Sequence, residues 1–165
     1  MQTFKLTSAA LLIGIGTLCA NILYIPAGVS KCFPVQHCIN VVAAVLLGPK
    51  MGVGIAFTIS LLRNLLGTGS ILAFPGSMIG AFCAALMFVR FRTTWSAMLG
   101  EVIGTGLIGG LVAFPLANLL MGKAVAAWFF IPPFLISTVG GSIIAGLLIK
   151  SGAFNYAMNR LSHDR

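Results

Sequence analysis

Two residues of this chain carry a carboxylate, Glu101 and Asp164, and they cannot serve each other. Paired-carboxylate chemistry needs two acids that meet. Asp164 stands in the tail, while Glu101 lies inside a long apolar run. No G-x-x-x-x-G-K-[ST] loop is present. Gly67-Thr68-Gly69-Ser70 lacks the lysine and a preceding strand, so it reads as an ordinary loop. If ATP drives this protein, the ATPase is a separate chain. The cysteines, Cys19, Cys32, Cys38 and Cys83, match no structural zinc spacing. Cys32 and Cys38 beside His37 leave two readings, a disulfide or metal site and small apolar fillers. No catalytic residue, metal or cofactor is expected, and the chain reads as a non-enzyme.

What remains is a set of polar side chains inside apolar runs, where burial is costly and usually tied to function. His37 and Asn40 are three apart, which places them on one face of a helix. Arg63 and Asn64 close the next apolar run at the same presumed outer end. Thr68 and Ser70 follow in the loop. Pro75-Gly76-Ser77 and the aromatic stretch Trp128-Phe129-Phe130 fall on that side too. These segments can converge on one pocket with aromatic walls, backbone amides, an imidazole, a carboxamide and one fixed cation. Such a pocket suits a small, mostly neutral heteroaromatic ligand, with Trp128 as the expected wall. The plainer readings are an Arg63 that snorkels to headgroups and a His37 that caps a helix. Glu101 and Thr105, four apart on one face, join the set from the other side. Glu101 is either a buried hydrogen-bonding site or the partner of a cation such as Arg63. Serving stability or coupling is the expected role, with a structural clasp between helices as the plain reading.

These residues need a scaffold, and composition identifies it. Of 165 residues, 59% are hydrophobic and 7% charged, with a mean hydropathy of +1.07. A soluble domain carries about 25% charged residues. The expected fold is therefore an all-α membrane protein, one domain of about six transmembrane helices at roughly 4–25, 35–47, 51–66, 71–89, 95–121 and 127–149. The first run could pass for a signal peptide, but five more follow it. The second and third helices form a hairpin through Gly48-Pro49-Lys50, because Pro49 cannot continue the first arm. That first arm is short for a full crossing and reads as either spanning or re-entrant. The net charge of +8 does not indicate nucleic acid, since the ten basic residues are scattered singly at the ends of apolar runs.

Six crossings put both termini on one side. That side carries Lys5, Lys50, Arg90, Arg92, Lys150, Arg160 and Arg165, against Lys31, Arg63 and Lys123 on the other. Seven against three places both ends in the cytoplasm. Small residues four apart recur: Ala10 and Gly14, Gly16 and Ala20, Gly76 and Gly80, Gly100 and Gly104, Gly106 and Gly110, Gly141 and Ala145. That spacing lets helix backbones approach closely. Most pairs serve internal packing. The small face of the first helix is long enough to serve a further partner.

At these residues the chain resembles the substrate-binding S component of an energy-coupling-factor vitamin transporter, and more narrowly the ThiW family. The stretches are Pro34-Val35-Gln36-His37 with Asn40, Arg63 through Ser70, Phe74-Pro75-Gly76-Ser77-Met78, and Gly100-Glu101 followed by Gly104-Thr105-Gly106. The resemblance implies an outward-facing pocket for the thiazole precursor of thiamine, hydroxyethylthiazole. It also implies docking on a transmembrane coupling protein that carries two ATPase subunits, through a small-residue face that would here include Ala10 and Gly14. An S component for another small solute remains open, as does a structural or assembly protein that binds only partner helices. The assembly reading leaves His37, Asn40, Arg63 and Asn64 gathered on one side unexplained. A channel would show a polar stripe along one helix, and none is present.

Overall fold

A computed structural model describes residues 2–27, 30–122, 126 and 128–162. Lys123, Asp164, Arg165 and the expected start of the last long helix at 127 lie outside them. The chain forms α1 (Gln2–Ile22), a short antiparallel hairpin of β1 (Ile25–Ala27) and β2 (Ser30–Cys32), and then α2 (Pro34–Leu65). After a loop come α3 (Ala73–Phe91), α4 (Thr94–Glu101), a π-helical stretch (Val102–Gly109), α5 (Gly110–Met121), α6 (Ile131–Lys150) and a short α7 (Asn155–Ser162). Five of the helical segments are long and apolar enough to cross a membrane. Apart from that short strand hairpin the protein is a helical, multi-pass membrane bundle.

Counted by length, α2 is a single 32-residue span, yet it folds back on itself. Gly48 sits at φ 79° and ψ −175°, a conformation that side chains resist and glycine does not. Pro49 then has no N–H to give to the preceding turn. The arms, 34–47 and 49–65, run antiparallel. Gln36 Nε2 on the first donates to Ser60 Oγ on the second at 2.9 Å, and Gly52 lies over the backbone of Ala43 and Ala44. At about 1.5 Å per residue the arms reach roughly 21 and 25 Å, short of the ~30 Å hydrocarbon layer.

The start of α1 and α7 meet at the tip of this hairpin. Phe4 stacks edge-on against Tyr156, with ring centroids 6.2 Å apart, and Arg160 covers the same Phe4 ring. Leu46, Leu47, Met51, Phe88, Phe154 and Leu161 share the cluster there. Tyr24, Phe33, the 67–70 loop and Phe130 gather at the opposite end.

Several boundaries differ from those expected. α1 stops at Ile22 because the chain turns into a strand by Ile25. α3 starts two residues late, at Ala73, and continues to Phe91, where Arg92 takes a left-handed φ of 55°. Trp128–Phe130 form a turn, so α6 begins at Ile131, where Pro132 and Pro133 suit a first helical turn. The expected polar tail after Lys150 contains α7.

Close approach between helices rests on missing side chains. A Cβ on Gly104 would lie 2.8 Å from Gly80 Cα, and one on Gly109 would lie 2.7 Å from Gly76 Cα. A Cβ on Gly80 would strike Thr105 Oγ1 and come within 2.7 Å of Glu101 Oε2. Gly76 and Gly80 on α3 thus face Gly109 and Gly104 on the fifth crossing, the one made of α4, the π-helical stretch and α5, while Gly100 packs on the backbone of Cys83 and Ala84. On α1, Gly16 packs against Ile59 and Ile39, while Ala10 is exposed and nothing lies within 4 Å of a Cβ on Gly14. Leu6, Leu18, Leu86 and Leu147 are exposed, as a lipid-facing surface requires. Trp95 and Trp128, at opposite ends of the bundle, are 72% and 71% exposed, where interfacial tryptophans anchor a membrane protein.

Gly80→Ala should therefore cost about 1–3 kcal/mol of stability, because the added methyl has no space. Gly54→Ala, with nothing within 4 Å of the new carbon, should leave stability unchanged or slightly raised. Unfolding of the two variants in detergent checks this, and equal stabilities would contradict the packing described.

Candidate functional site

A cavity of about 540 Å³ opens at the end away from α7 and the start of α1. Tyr24 and Phe33 border it from the strand hairpin side, Phe130 and Phe134 from α6 and the turn before it. Gln36, His37, Ser77 and Thr105 form its polar floor, and Arg63 with residues 67–70 forms one wall. Each floor residue comes from a different constraint. Pro34 starts α2, whose first turn carries the buried Gln36 and His37. The turn at Gly48 brings Ser60 and Arg63 back beside them. The glycine contact between α3 and the π stretch sets Ser77 and Thr105 underneath. Gly141 on α6 lets that helix press on His37, since a Cβ there would lie 2.7 Å from His37 Cβ.

Arg63 is 2% exposed, so it does not snorkel. Its Nη1 donates to Gln36 Oε1 in a short hydrogen bond, and Nη2 donates to Thr68 O at 3.1 Å. The guanidinium carbon lies 4.1 Å from the centroid of the Phe33 ring, a stacked cation–π contact. Both amide protons of Gln36 are then used, one on Ser60 Oγ and one on Ser77 Oγ, each at 2.9 Å.

Beneath the floor, Glu101 Oε1 is a point of convergence. His37 Nδ1 lies at 2.8 Å, Asn40 Nδ2 at 3.0 Å and Thr105 Oγ1 at 2.8 Å. The Thr105 hydroxyl also lies 3.0 Å from Gly76 O, and its single proton serves one acceptor at a time. Asn40 donates in addition to Ser77 O and Ser77 Oγ. Ser77 therefore belongs to both networks. An unbroken polar chain runs Arg63, Gln36, Ser77, Asn40, Glu101, His37, with no direct Arg63–Glu101 pair. The ionisable side chain that Glu101 does meet is His37, through a hydrogen bond at Nδ1.

Of the residues singled out from sequence, His37, Arg63, Thr68, Ser70 and Thr105 border the cavity. Asn40 and Glu101 are 0% exposed and lie below it. Asn64 faces the loop instead, where its amide donates to Ser60 O at 2.8 Å and Ser70 O at 3.1 Å. Trp128 is no wall, because it points outward; Phe33, Phe130 and Phe134 take that place. Three of the expected backbone amides are already committed. Gly67 N bonds Asn64 O, and the amides of Thr68 and Gly69 both bond Arg63 O. Ala10 and Gly14 lie on α1, outside the cavity lining. The cysteines are free, with Cys32 and Cys38 buried and Cys32 Sγ donating to Pro133 O at 3.3 Å.

Sequence reasoning singled out none of Gln36, Ser60 and Ser77 as a site residue, although Gln36 and Ser77 stand in stretches it named. Gln36 carried a usable signal, since an amide side chain within a membrane segment seldom lacks a partner. Ser77 carried the place of its Pro75-Gly76-Ser77 segment, and Ser60 carried none, because serine is common at small-residue helix contacts.

The family described as thiamine-precursor transporter protein (ThiW) matches this chain over residues 6–152. Among curated proteins there is no match. A solved structure described as the S component of a bacterial ECF transporter superposes with a TM-score of 0.78, covering 93% of this chain and 97% of that one. Sequence identity is 17%, so that likeness is one of fold.

Gln36→Leu removes three hydrogen bonds at once and leaves a buried guanidinium short of its acceptor. It should cost about 3–5 kcal/mol, whereas Trp128→Ala should change stability little. Denaturant unfolding in detergent distinguishes them; an unaffected Gln36→Leu would mean that the Arg63 network contributes nothing to the fold.

Proposed function

Because the chain belongs to the ThiW family of thiamine-precursor transporter proteins, we propose that it is the substrate-binding S component of an energy-coupling-factor importer, with hydroxyethylthiazole as substrate. One observation carries the reading: an aromatic-walled cavity with a polar floor, set at one end of a bundle with the S-component fold. Its volume falls in the range of small-molecule sites. Phe33, Phe130 and Phe134 suit the faces of a flat ring. Arg63, His37, Ser70 and Ser137 supply the few polar contacts that orient one. Asn40, Glu101, Asn64 and Thr68 act on the ligand through the residues they hold, and Thr105 spans floor and network.

The reading includes partners. The chain binds and releases the solute, and ATP is hydrolysed by two separate ATPase subunits on a transmembrane coupling protein. Ala10 and Gly14 form the docking face, supported by their position on an outward side of α1 with no internal contact at Gly14. The protein sits in the cytoplasmic membrane with both termini inside and the cavity open to the outside, as the distribution of Lys and Arg favours.

Calorimetry on the detergent-solubilised chain tests the substrate. Saturable binding of hydroxyethylthiazole by the isolated protein is expected; no binding of it would remove the thiazole assignment, and no binding of any vitamin precursor would favour an assembly role. Gly14→Trp should keep that binding yet abolish uptake in cells that supply the partner chains, because close backbone approach is lost. Uptake equal to wild type would clear α1 of a docking role. In a cysteine-free background, a membrane-impermeant thiol reagent should label Lys31→Cys and Lys123→Cys from outside. It should miss Lys50→Cys, Arg92→Cys and Arg160→Cys, and the reverse pattern would invert the topology.

A further inference from the structure

The two nitrogens of His37 have different surroundings. Nδ1 is 2.8 Å from Glu101 Oε1. That oxygen also takes the Asn40 amide at 3.0 Å and lies 2.8 Å from the Thr105 hydroxyl. An oxygen approached by an amide N–H and a hydroxyl is acting as an acceptor, so the imidazole proton belongs on Nδ1. In the neutral ring Nε2 is then bare, with its lone pair directed away from Glu101. Asn40 and Glu101 are 0% exposed and Thr105 is 1%, while His37 keeps 9% and borders the cavity. Among the described residues Nε2 meets no protein partner.

The other polar side chains that the argument meets around the cavity already hydrogen-bond within the protein, or carry only donors. Gln36 Oε1 is taken by Arg63 and its amide by Ser60 and Ser77. The Thr68 hydroxyl is held by Arg63 O. Ser70 Oγ accepts from Leu72 N and Ser137 Oγ from Phe33 N, which leaves each with a proton to give. Arg63 has no acceptor atom. His37 Nε2 is thus a free side-chain acceptor in a cavity rich in donors.

We infer that His37 Nε2 is the acceptor for a hydroxyl group of the ligand, and that Glu101 is the positioning residue that keeps it one. The inference rests on the reading of the cavity as a thiazole site and adds the group by which a heteroaromatic alcohol is told from an analogue without the O–H. Glu101 fixes the tautomer through Nδ1, and Asn40 and Thr105 fix Glu101. A ligand that brings only acceptors leaves Nε2 dry and unpaired, and a site built around a hydrogen bond discriminates strongly against such a partner.

Two measurements on the full-length protein in detergent test this. The first is calorimetry with hydroxyethylthiazole and with its O-methyl ether. Wild type should prefer the alcohol by roughly ten- to hundred-fold, the worth of one buried hydrogen bond. His37→Asn retains a short donor toward Glu101 but nothing at Nε2, and it should bind both compounds with no preference. The second is ¹⁵N NMR of labelled histidine in a His163→Gln background, which leaves His37 as the one imidazole. The spectrum should show a protonated Nδ1 and a bare Nε2, with the Nε2 resonance moving when the alcohol is added and staying when the ether is added. If wild type binds alcohol and ether equally, the thiazole reading stands and this assignment falls. If it binds neither, both fall. A spectrum with the proton on Nε2 overturns the assignment whatever the calorimetry gives, and does so without reliance on any variant's folding.

Discussion

A guanidinium and a carboxylate share the interior of one small apolar bundle without touching, and the candidate site follows from how they are kept apart. An isolated buried charge is very costly, and a paired one recovers the cost only when hydrogen bonds satisfy both partners. Here the connection is made by neutral groups. Gln36 turns its carbonyl to Arg63 and its amide to Ser60 and Ser77, and Asn40 carries the chain from Ser77 to Glu101. Each link has both a donor and an acceptor end, which only carboxamides and hydroxyls provide. The result holds the cation beside the cavity and the acid beneath it, where a direct pair would have closed the floor.

That arrangement depends on helices approaching far closer than ordinary side chains allow. Gly76 and Gly80 on α3 meet Gly109 and Gly104 on the fifth crossing, and the space saved brings Thr105 and Glu101 to the level of Asn40. The crossing takes a π-helical form from Val102 to Gly109, immediately after the acid. Wide turns of this kind change which residues share a face and recur at functional sites. Here Thr105 reaches both Glu101 and the carbonyl of Gly76. The bend at Gly48 supplies the other half, since Arg63 and Gln36 belong to arms that would lie far apart in a straight α2.

The surface has the reverse logic. Leucines stand exposed along the bundle and tryptophans mark its two ends, while polar atoms are drawn inward. In water this would be an inside-out protein; in lipid it places the membrane against the apolar flank and leaves the polar interior open at one end. A cavity lined with donors, aromatic rings and an imidazole then becomes the part of the molecule where a small polar solute finds better company than in the bilayer.

Composition and the spacing of breakers were sufficient for the membrane bundle, the hairpin at Gly48-Pro49 and the convergence of His37, Arg63, Thr68 and Ser70, because apolar length, a proline and a glycine act locally and are visible in one dimension. Pairing within the small-residue faces was half legible: the four-residue spacing marks which residues lie on a face, but not which helix fills it. The remainder depended on distances between helices. Depth counting left Glu101's partner open between a hydrogen-bonding site and Arg63, since a count along one helix says nothing about the tilt and π register of another. Asn64 and Trp128 were polar and aromatic residues at the right end of the bundle, yet one faces the loop and the other faces outward; rotation about a helix or turn axis is set by packing. Gln36 and Ser77 are unremarkable letters that become links because Arg63 and Asn40 arrive beside them, and only the folded chain puts them there.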